Sequence, residues 1–470
     1  MSWAKLGRIS LSLILWHVLT GHGYAKPSPA SPWSQEKLSN GLEVVLMPSA
    51  KVPLVTIVLV FRAGARTETL DINGLTHLWE HMFFKGNATL PDQEAFSKRV
   101  RELGIVFNGD TSSEIVRYYF TLPSSNLDAG LKFMYDAISS PLLQQDELER
   151  ERKVVLDEYD RAASQAGFEL NNMERMVMYK ELEFQRNPLG RRALIEQATR
   201  EQLLRIKKEV FVPANGALVL TGDFESKAVL KTMERIYSPW QTPKDWVPVN
   251  SKDLPRVSAT DRLHMLHDQA QNSLIQITFD GPRALKQPKD TFIADVLISL
   301  LNQRSGRFYG KMVDSGLTLA AGLGYHTQGR AGELVLYAQT QTDKLPRVEA
   351  ELRRELSEWQ SKDYFSEVAL KDVKSSLIVQ HKFELNKPSE YGKTLAFWWG
   401  TTGLGYLNSY QKGMQEVSLA DVRDFWQRYF NQKPSVVSIL SNRKDALAAG
   451  VKDQNEELKR KYLRNYELRN

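Results

Sequence analysis

The chain repeats itself once, and that constrains its fold more than any other feature of the sequence. Segments that read as strands and helices recur in one order at a spacing of about 220 residues, too long for a solenoid, whose repeats run to roughly 50 residues. In the first half, residues 41–46 and 53–61 read as Val- and Leu-rich strands. A helix follows over 74–84, then a strand pair at 107–111 and 115–122, then long helices over 126–139 and 145–163. In the second half, a strand at 273–279, a helix at 290–302, a strand pair at 317–322 and 333–341 and helices at 344–362 and 366–383 repeat that order. The closing strands correspond too, 215–223 with 434–442. The expected fold class is α+β: two duplicated domains, each a mostly antiparallel sheet packed with helices. Expected bounds are 33–242 and 263–450, joined by a linker at 243–262 that contains three prolines and has no clear periodicity. A mixed-charge tail, 451–470, follows.

The first residues read as a secretory signal. Lys5 and Arg8 precede an apolar stretch of twelve residues, Ile9 to Thr20, and Gly23-Tyr24-Ala25 places small residues at a cleavage site. Twelve residues are short against the roughly 20 that span a bilayer, so cleavage after Ala25 is expected, followed by a short Pro/Ser-rich leader. The chain has 62 Lys and Arg against 56 Asp and Glu; without Lys5 and Arg8 the excess is +4. So small an excess, with no basic run interleaved with aromatics, argues against nucleic-acid binding. There is no cysteine, which excludes disulfides, thiolate metal sites and a lipid-modified N-terminal cysteine. A secreted, cysteine-free chain points to the periplasm of a Gram-negative bacterium.

Chemistry concentrates in His77-Leu78-Trp79-Glu80-His81. Histidines four apart lie one turn apart on one helix face, the spacing two imidazoles need to share one Zn²⁺. Glu80 reaches the same rim, where a carboxylate can take a proton from water activated by the metal. Two histidines leave the site incomplete, so a third protein ligand is required from another element. Glu151 and Glu158 are seven apart, two turns, and share a face of the 145–163 helix. Of the other histidines, His264, His267, His326 and His381 show no metal spacing. Trp398 and Trp399 read as core or interface residues.

Together these segments resemble the pitrilysin family, the insulinase-like M16 metallopeptidases. The resemblance rests on His77-x-x-Glu80-His81-Met82-x-Phe84-Lys85-Gly86 and on Glu151-Arg152-x-x-Val155-x-x-Glu158, with 76 residues between His81 and Glu158. Tyr119-Phe120-Thr121-Leu122-Pro123 and Asn187-Pro188-Leu189-Gly190 add to it, and it extends through the duplicated half. The resemblance implies zinc, one ion per chain, with Glu158 as third ligand, Glu80 as general base and Glu151 supporting the site from behind the ligands. It implies half of a clamshell, and an edge strand at Asn108-Gly109 to which substrate adds; the family usually has Asn-Ala there. The family also uses an Arg and a Tyr from a second-half domain, where this chain has Met312 and Leu319. Arg307 and Tyr309 lie nearby but out of register. The asymmetry resembles the zinc-bearing subunit of two-subunit members, including the mitochondrial processing peptidase. The expected activity is therefore zinc metalloendopeptidase action on extended or unfolded peptides, as a heterodimer with a homologous subunit that supplies the Arg/Tyr pair. A non-catalytic structural subunit and a self-sufficient homodimeric peptidase stand as alternatives.

Overall fold

The computed structural model describes residues 31–179, 185–248, 257 and 260–463. The expected signal segment 1–25, leader residues 26–30, linker residues 249–256 and 258–259 and tail residues 464–470 lie outside the described residues.

Two sheets carry the duplication. The first contains β1 (Ser34–Lys37), β2 (Glu43–Pro48), β3 (Leu54–Phe61), β4 (Val106–Thr111), β5 (Val116–Pro123) and β6 (Gly216–Gly222), in the order β1-β2-β6-β3-β5-β4. The second contains β7 (Asp261–His267), β8 (Ser273–Asp280), β9 (Ala320–Thr327), β10 (Gly332–Thr340) and β11 (Ser435–Asn442), in the order β7-β11-β8-β10-β9. From β2 onward the sheets match strand for strand. Even the parallel pair recurs in place, β2 with β6 and β7 with β11, among otherwise antiparallel pairings.

Side-chain alternation explains how the first sheet is covered. Along β3, Val55, Ile57, Leu59 and Phe61 enter one apolar core with α1 (Leu75–Phe83), α2 (Gln93–Leu103) and α3 (Leu127–Ser139). Thr56, Val58 and Val60 point to the opposite face and are equally buried. What buries them is distant in sequence: helix α8 (Pro388–Thr401) packs on β3, β5 and β6. Two glycines let it approach. A Cβ on Gly400 would lie 2.3 Å from Ile115 Cγ2, and one on Gly392 would lie 2.8 Å from Thr221 Oγ1. Burial on both faces is why 53–61 reads as a nearly continuous apolar run, broken only by Thr56, rather than an alternating one.

The compact units are accordingly discontinuous. One comprises the described residues of Gly23–Pro255, Ile378–Asn408 and Tyr462–Asn470, the other those of Arg256–Leu377 and Ser409–Lys461. Residues 378–408 thus cluster with the first sheet, unlike the contiguous bounds expected from the sequence. In the second unit, α5 (Pro288–Leu301), α6 (Leu345–Glu358) and the start of α7 (Glu367–Leu385) follow the expected order. The strand expected at 317–322 begins instead at Ala320. Gly316 takes a left-handed φ of 73°, and the Thr318 N–H and hydroxyl both donate to the Met312 carbonyl, so 317–319 belong to a turn. The last expected linker residues, 261 and 262, already lie in β7. The tail contains a helix, Asn455–Tyr462, whose Asn455 side chain accepts from the Leu266 N–H and donates to its carbonyl, sealing the β7 edge. Among the described residues no helix is long and apolar enough to cross a membrane.

Gly400→Val should force β-carbon volume into the Ile115–Val60 contact and lower stability by about 1–3 kcal/mol. The check is a fall in the urea midpoint without a change in slope.

Candidate metal centre

Helix α1 is anchored at its start by a buried carboxylate. Glu68 accepts from the N–H groups of Gly74 and Thr76 at 2.9 and 2.8 Å and from the Asn73 side chain at 2.8 Å. These are N–H groups at the helix start, and the negative charge sits favourably at the positive end of the helix. Burial still pushes the Glu68 carboxyl up, with those hydrogen bonds opposing. A second anchor is a backbone contact. Gly74 and Gly190 both adopt positive φ, 99° and 74°, and a Cβ on Gly190 would lie 2.1 Å from the Gly74 Cα. The Asn187-Pro188-Leu189-Gly190 turn therefore seats the helix. Leu75, Leu78, Trp79, Met82 and Phe83 fill the core, Trp79 stacked on Phe211 and Phe83 on Tyr118. With that face buried, His77 and His81 are left at the rim.

Helix α4 (Gln145–Ala163) packs on α1. Its contact face runs Leu148, Glu151, Val155, Glu158, an i, i+3, i+7, i+10 stripe. Val155 is buried and its neighbour Val154 exposed, as that stripe requires. Glu158 Oε2 lies 3.7 Å from His77 Nε2 and 3.6 Å from His81 Nε2. The three donor atoms lie within 4.8 Å of one another, and among the described residues these side chains form the one group so arranged. Donors 2.0–2.1 Å from a tetrahedral Zn²⁺ stand about 3.3 Å apart, and the two carboxylate–imidazole distances are within a few tenths of an ångström of that spacing.

The donor chemistry fits a cation. Burial, with a smaller contribution from His81, lowers His77 to about 4, which leaves a neutral imidazole with a free lone pair at neutral pH. His81 Nδ1 lies 3.2 Å from Glu151 Oε2, so its Nδ1–H can donate there and leave Nε2 turned toward Glu158. Burial lowers His81, but the Glu151 hydrogen bond and the charges of Glu158 and Glu80 outweigh it, and the net shift is upward. Burial raises Glu151; its hydrogen bonds to His81 and to buried Lys85, whose Nζ is 2.7 Å away, reverse this and hold it down. Glu151 is thus a charged bridge between His81 and Lys85.

Glu80 is buried beside them. Its Oε2 accepts from the Thr111 hydroxyl at 2.6 Å. Burial raises its carboxyl to about 7, with Thr111 and His81 opposing and Asp110 and Glu158 adding. Asn108 and Gly109 lie on β4, which closes one edge of the first sheet. Asn108 is exposed, and its Oδ1 accepts from the Gly109 N–H at 2.9 Å. A Cβ on Gly109 would meet Glu80 Oε1 at 2.8 Å.

The second-half positions belong to the other compact unit. Met312 is fully buried and Leu319 is 58% exposed. Arg307 pairs with Glu358 and lies over the Tyr364 ring, 4.8 Å from its centroid. His264 contacts Ser441 at 3.0 Å and His326 lies 3.4 Å from Glu333, so both are accounted for away from any metal set. Trp398 and Trp399 are buried, and Trp399 Nε1 donates to Glu43 at 2.8 Å. Sequence reasoning missed Glu68 and Thr111. Neither sits in a spaced motif; each reaches α1 only through the fold.

The duplicated helix carries other residues at the positions of the candidate ligands. An offset of 218 residues relates Phe61 to Phe279 and Val116 to Leu334 in the paired strands, and the last residue of α1, Phe83, to that of α5, Leu301. The same offset carries His77 onto Asp295, Glu80 onto Ile298 and His81 onto Ser299. Asp295 is buried, and burial holds its carboxyl well above the usual carboxylate range.

Comparison with known proteins agrees with this division. Residues 43–193 match the family model described as insulinase (peptidase family M16), and residues 197–377 match the peptidase M16 inactive domain. The chain belongs to the peptidase M16 family. An uncharacterized zinc protease of Rickettsia felis is 25% identical over 77% of this chain and 86% of its own length. A protease from Helicobacter pylori shares the fold with a TM-score of 0.79 at 21% identity, over 87% of this chain and 99% of that one. The periplasmic protease PqqL of Escherichia coli matches 93% of this chain with a TM-score of 0.74 at 20% identity, yet only 51% of PqqL is covered.

Glu151→Ala should remove the partner of His81 Nδ1 and weaken zinc affinity by about 10–100-fold. Competition with a chromogenic chelator measures it.

Proposed function

We propose that the protein is a zinc-dependent endopeptidase of the periplasm that cleaves extended or unfolded peptides. The observation that carries this reading is the convergence of His77 Nε2, His81 Nε2 and Glu158 Oε2 beside the buried carboxylate of Glu80. His77, His81 and Glu158 would hold the ion. When bound, zinc polarises the scissile carbonyl and makes water acidic enough to attack near neutral pH. Glu80 takes the water's proton and delivers it to the leaving amine nitrogen. Glu151 and Lys85 keep His81 in the tautomer that offers Nε2. The peptide adds to β4, so affinity comes largely from backbone hydrogen bonds and imposes little sequence preference.

The site is one part of a catalytic centre. Met312 and Leu319 have no hydrogen-bond donor in their side chains and Arg307 is engaged with Glu358, which leaves Tyr309 or a second chain as the source of an oxyanion donor. A homologous subunit is the source we favour. The match to half of a protease about twice as long supports it, since there the further half is part of the same chain. The periplasmic location rests on that relative and on the expected signal segment.

Glu80→Gln should lower hydrolysis by about 10²–10⁴-fold while zinc stays near one equivalent per chain. The assay compares the purified chain alone with the chain plus its homologous partner. Hydrolysis by the chain alone, lost in Glu80→Gln, would favour a homodimer; a folded preparation that takes up no zinc would favour a structural subunit.

Glu80 acts in its ionised form, so kcat/KM should rise with pH through its pKa. Burial places that carboxyl at about 7, and the positive charge of a bound ion lowers it. The acid limb of the profile should therefore fall below pH 7; a limb above 7 would assign it to another group.

A further inference from the structure

We infer that Thr111 is the positioning residue for the Glu80 carboxylate, with Gly109 leaving the space into which that carboxylate fits. The inference rests on the reading of Glu80 as the base.

The geometry is specific to the two oxygens. Oε2 accepts from the Thr111 hydroxyl at 2.6 Å, within the short range of a charge-assisted bond. On the other side, the Gly109 Cα faces the carboxylate: a Cβ there would lie 2.8 Å from Oε1, 2.9 Å from Cγ and 3.1 Å from Cδ. Residues 109 and 111 are two apart on β4, so both present the same face toward α1. Strand and helix therefore grip the carboxylate together: Thr111 bonds one oxygen, and the missing side chain at 109 accommodates the other.

A base needs this support. Glu80 is buried, and its carboxylate can rotate about its terminal torsion, a broad and roughly two-fold well. Fixing one oxygen sets the direction of the other's lone pairs. Because the strand that supplies the hydroxyl is also the edge proposed to receive the peptide, base and substrate share one reference element.

The test uses a peptide hydroxamate, a zinc-directed inhibitor whose hydroxyl gives its proton to a general base, on the zinc-loaded chain without its partner. Thr111→Val keeps the shape and removes the hydroxyl; Thr111→Ser keeps the hydroxyl. Thr111→Val should bind the hydroxamate about tenfold more weakly, the loss expected for a hydrogen bond to a charged group, with zinc affinity and thermal midpoint unchanged. Thr111→Ser should bind as the parent does, and Glu80→Gln should lose at least as much as Thr111→Val. Equal binding by Thr111→Val and the parent, with Glu80→Gln impaired, overturns the positioning role alone. Loss in Thr111→Ser equal to that in Thr111→Val also overturns it, since the hydroxyl would then be irrelevant. Binding unaffected by Glu80→Gln, or a chain that takes up no zinc, overturns the reading of Glu80 on which this rests, and the positioning role with it.

Discussion

The contact between α1 and α4 is the constraint on which the rest of the first unit depends. Histidines one turn apart define a face, but that face acquires a third donor only if α4 lies against it in one register. Leu148 and Val155 set the register by burying themselves, and Glu151 holds it by bridging His81 and Lys85. A buried carboxylate between an imidazole and an ammonium is costly if either partner is lost. The same group that orients a ligand thus also resists slippage of one helix along the other.

The parts legible in the sequence were those with short periods. The i, i+4 pair His77/His81, the i, i+7 pair Glu151/Glu158 and the strand–helix order of both halves all follow from local spacing, and the sheets reproduce that order with β1 and β7 added. The unread parts have long-range causes. Glu68 caps α1 from a loop, Gly190 meets Gly74 from more than a hundred residues away, and Thr111 reaches Glu80 across a strand-to-helix contact. The boundary of β9 was misplaced because Leu317 and Leu319 look strand-like, whereas the left-handed Gly316 and the Thr318–Met312 bonds commit them to a turn.

Duplication makes the two halves comparable as chemistry. Both motif helices bury a polar group at the corresponding position. In the first it is His77, pushed toward its neutral form among other ligands; in the second it is Asp295, pushed toward its neutral form beside Tyr410. Where the first half arranges donors that could share a cation, the second holds a buried carboxyl that burial pushes toward its neutral form. The same helix position thus serves two different kinds of polar group.

Helix α8 has a consequence for how the chain acquires its structure. The first sheet is complete in its strands once β6 has been made, but Thr56, Val58 and Val60 stay uncovered until residues 388–401 arrive. During synthesis the N-terminal half must therefore wait, with one apolar face open, while nearly all of the second half emerges from the ribosome. Such an interval favours capture by a chaperone or, for an exported chain, passage across the membrane before folding. A late helix of this kind acts as a timer: it keeps the half bearing His77 and His81 from maturing until residues 388–401 have been made.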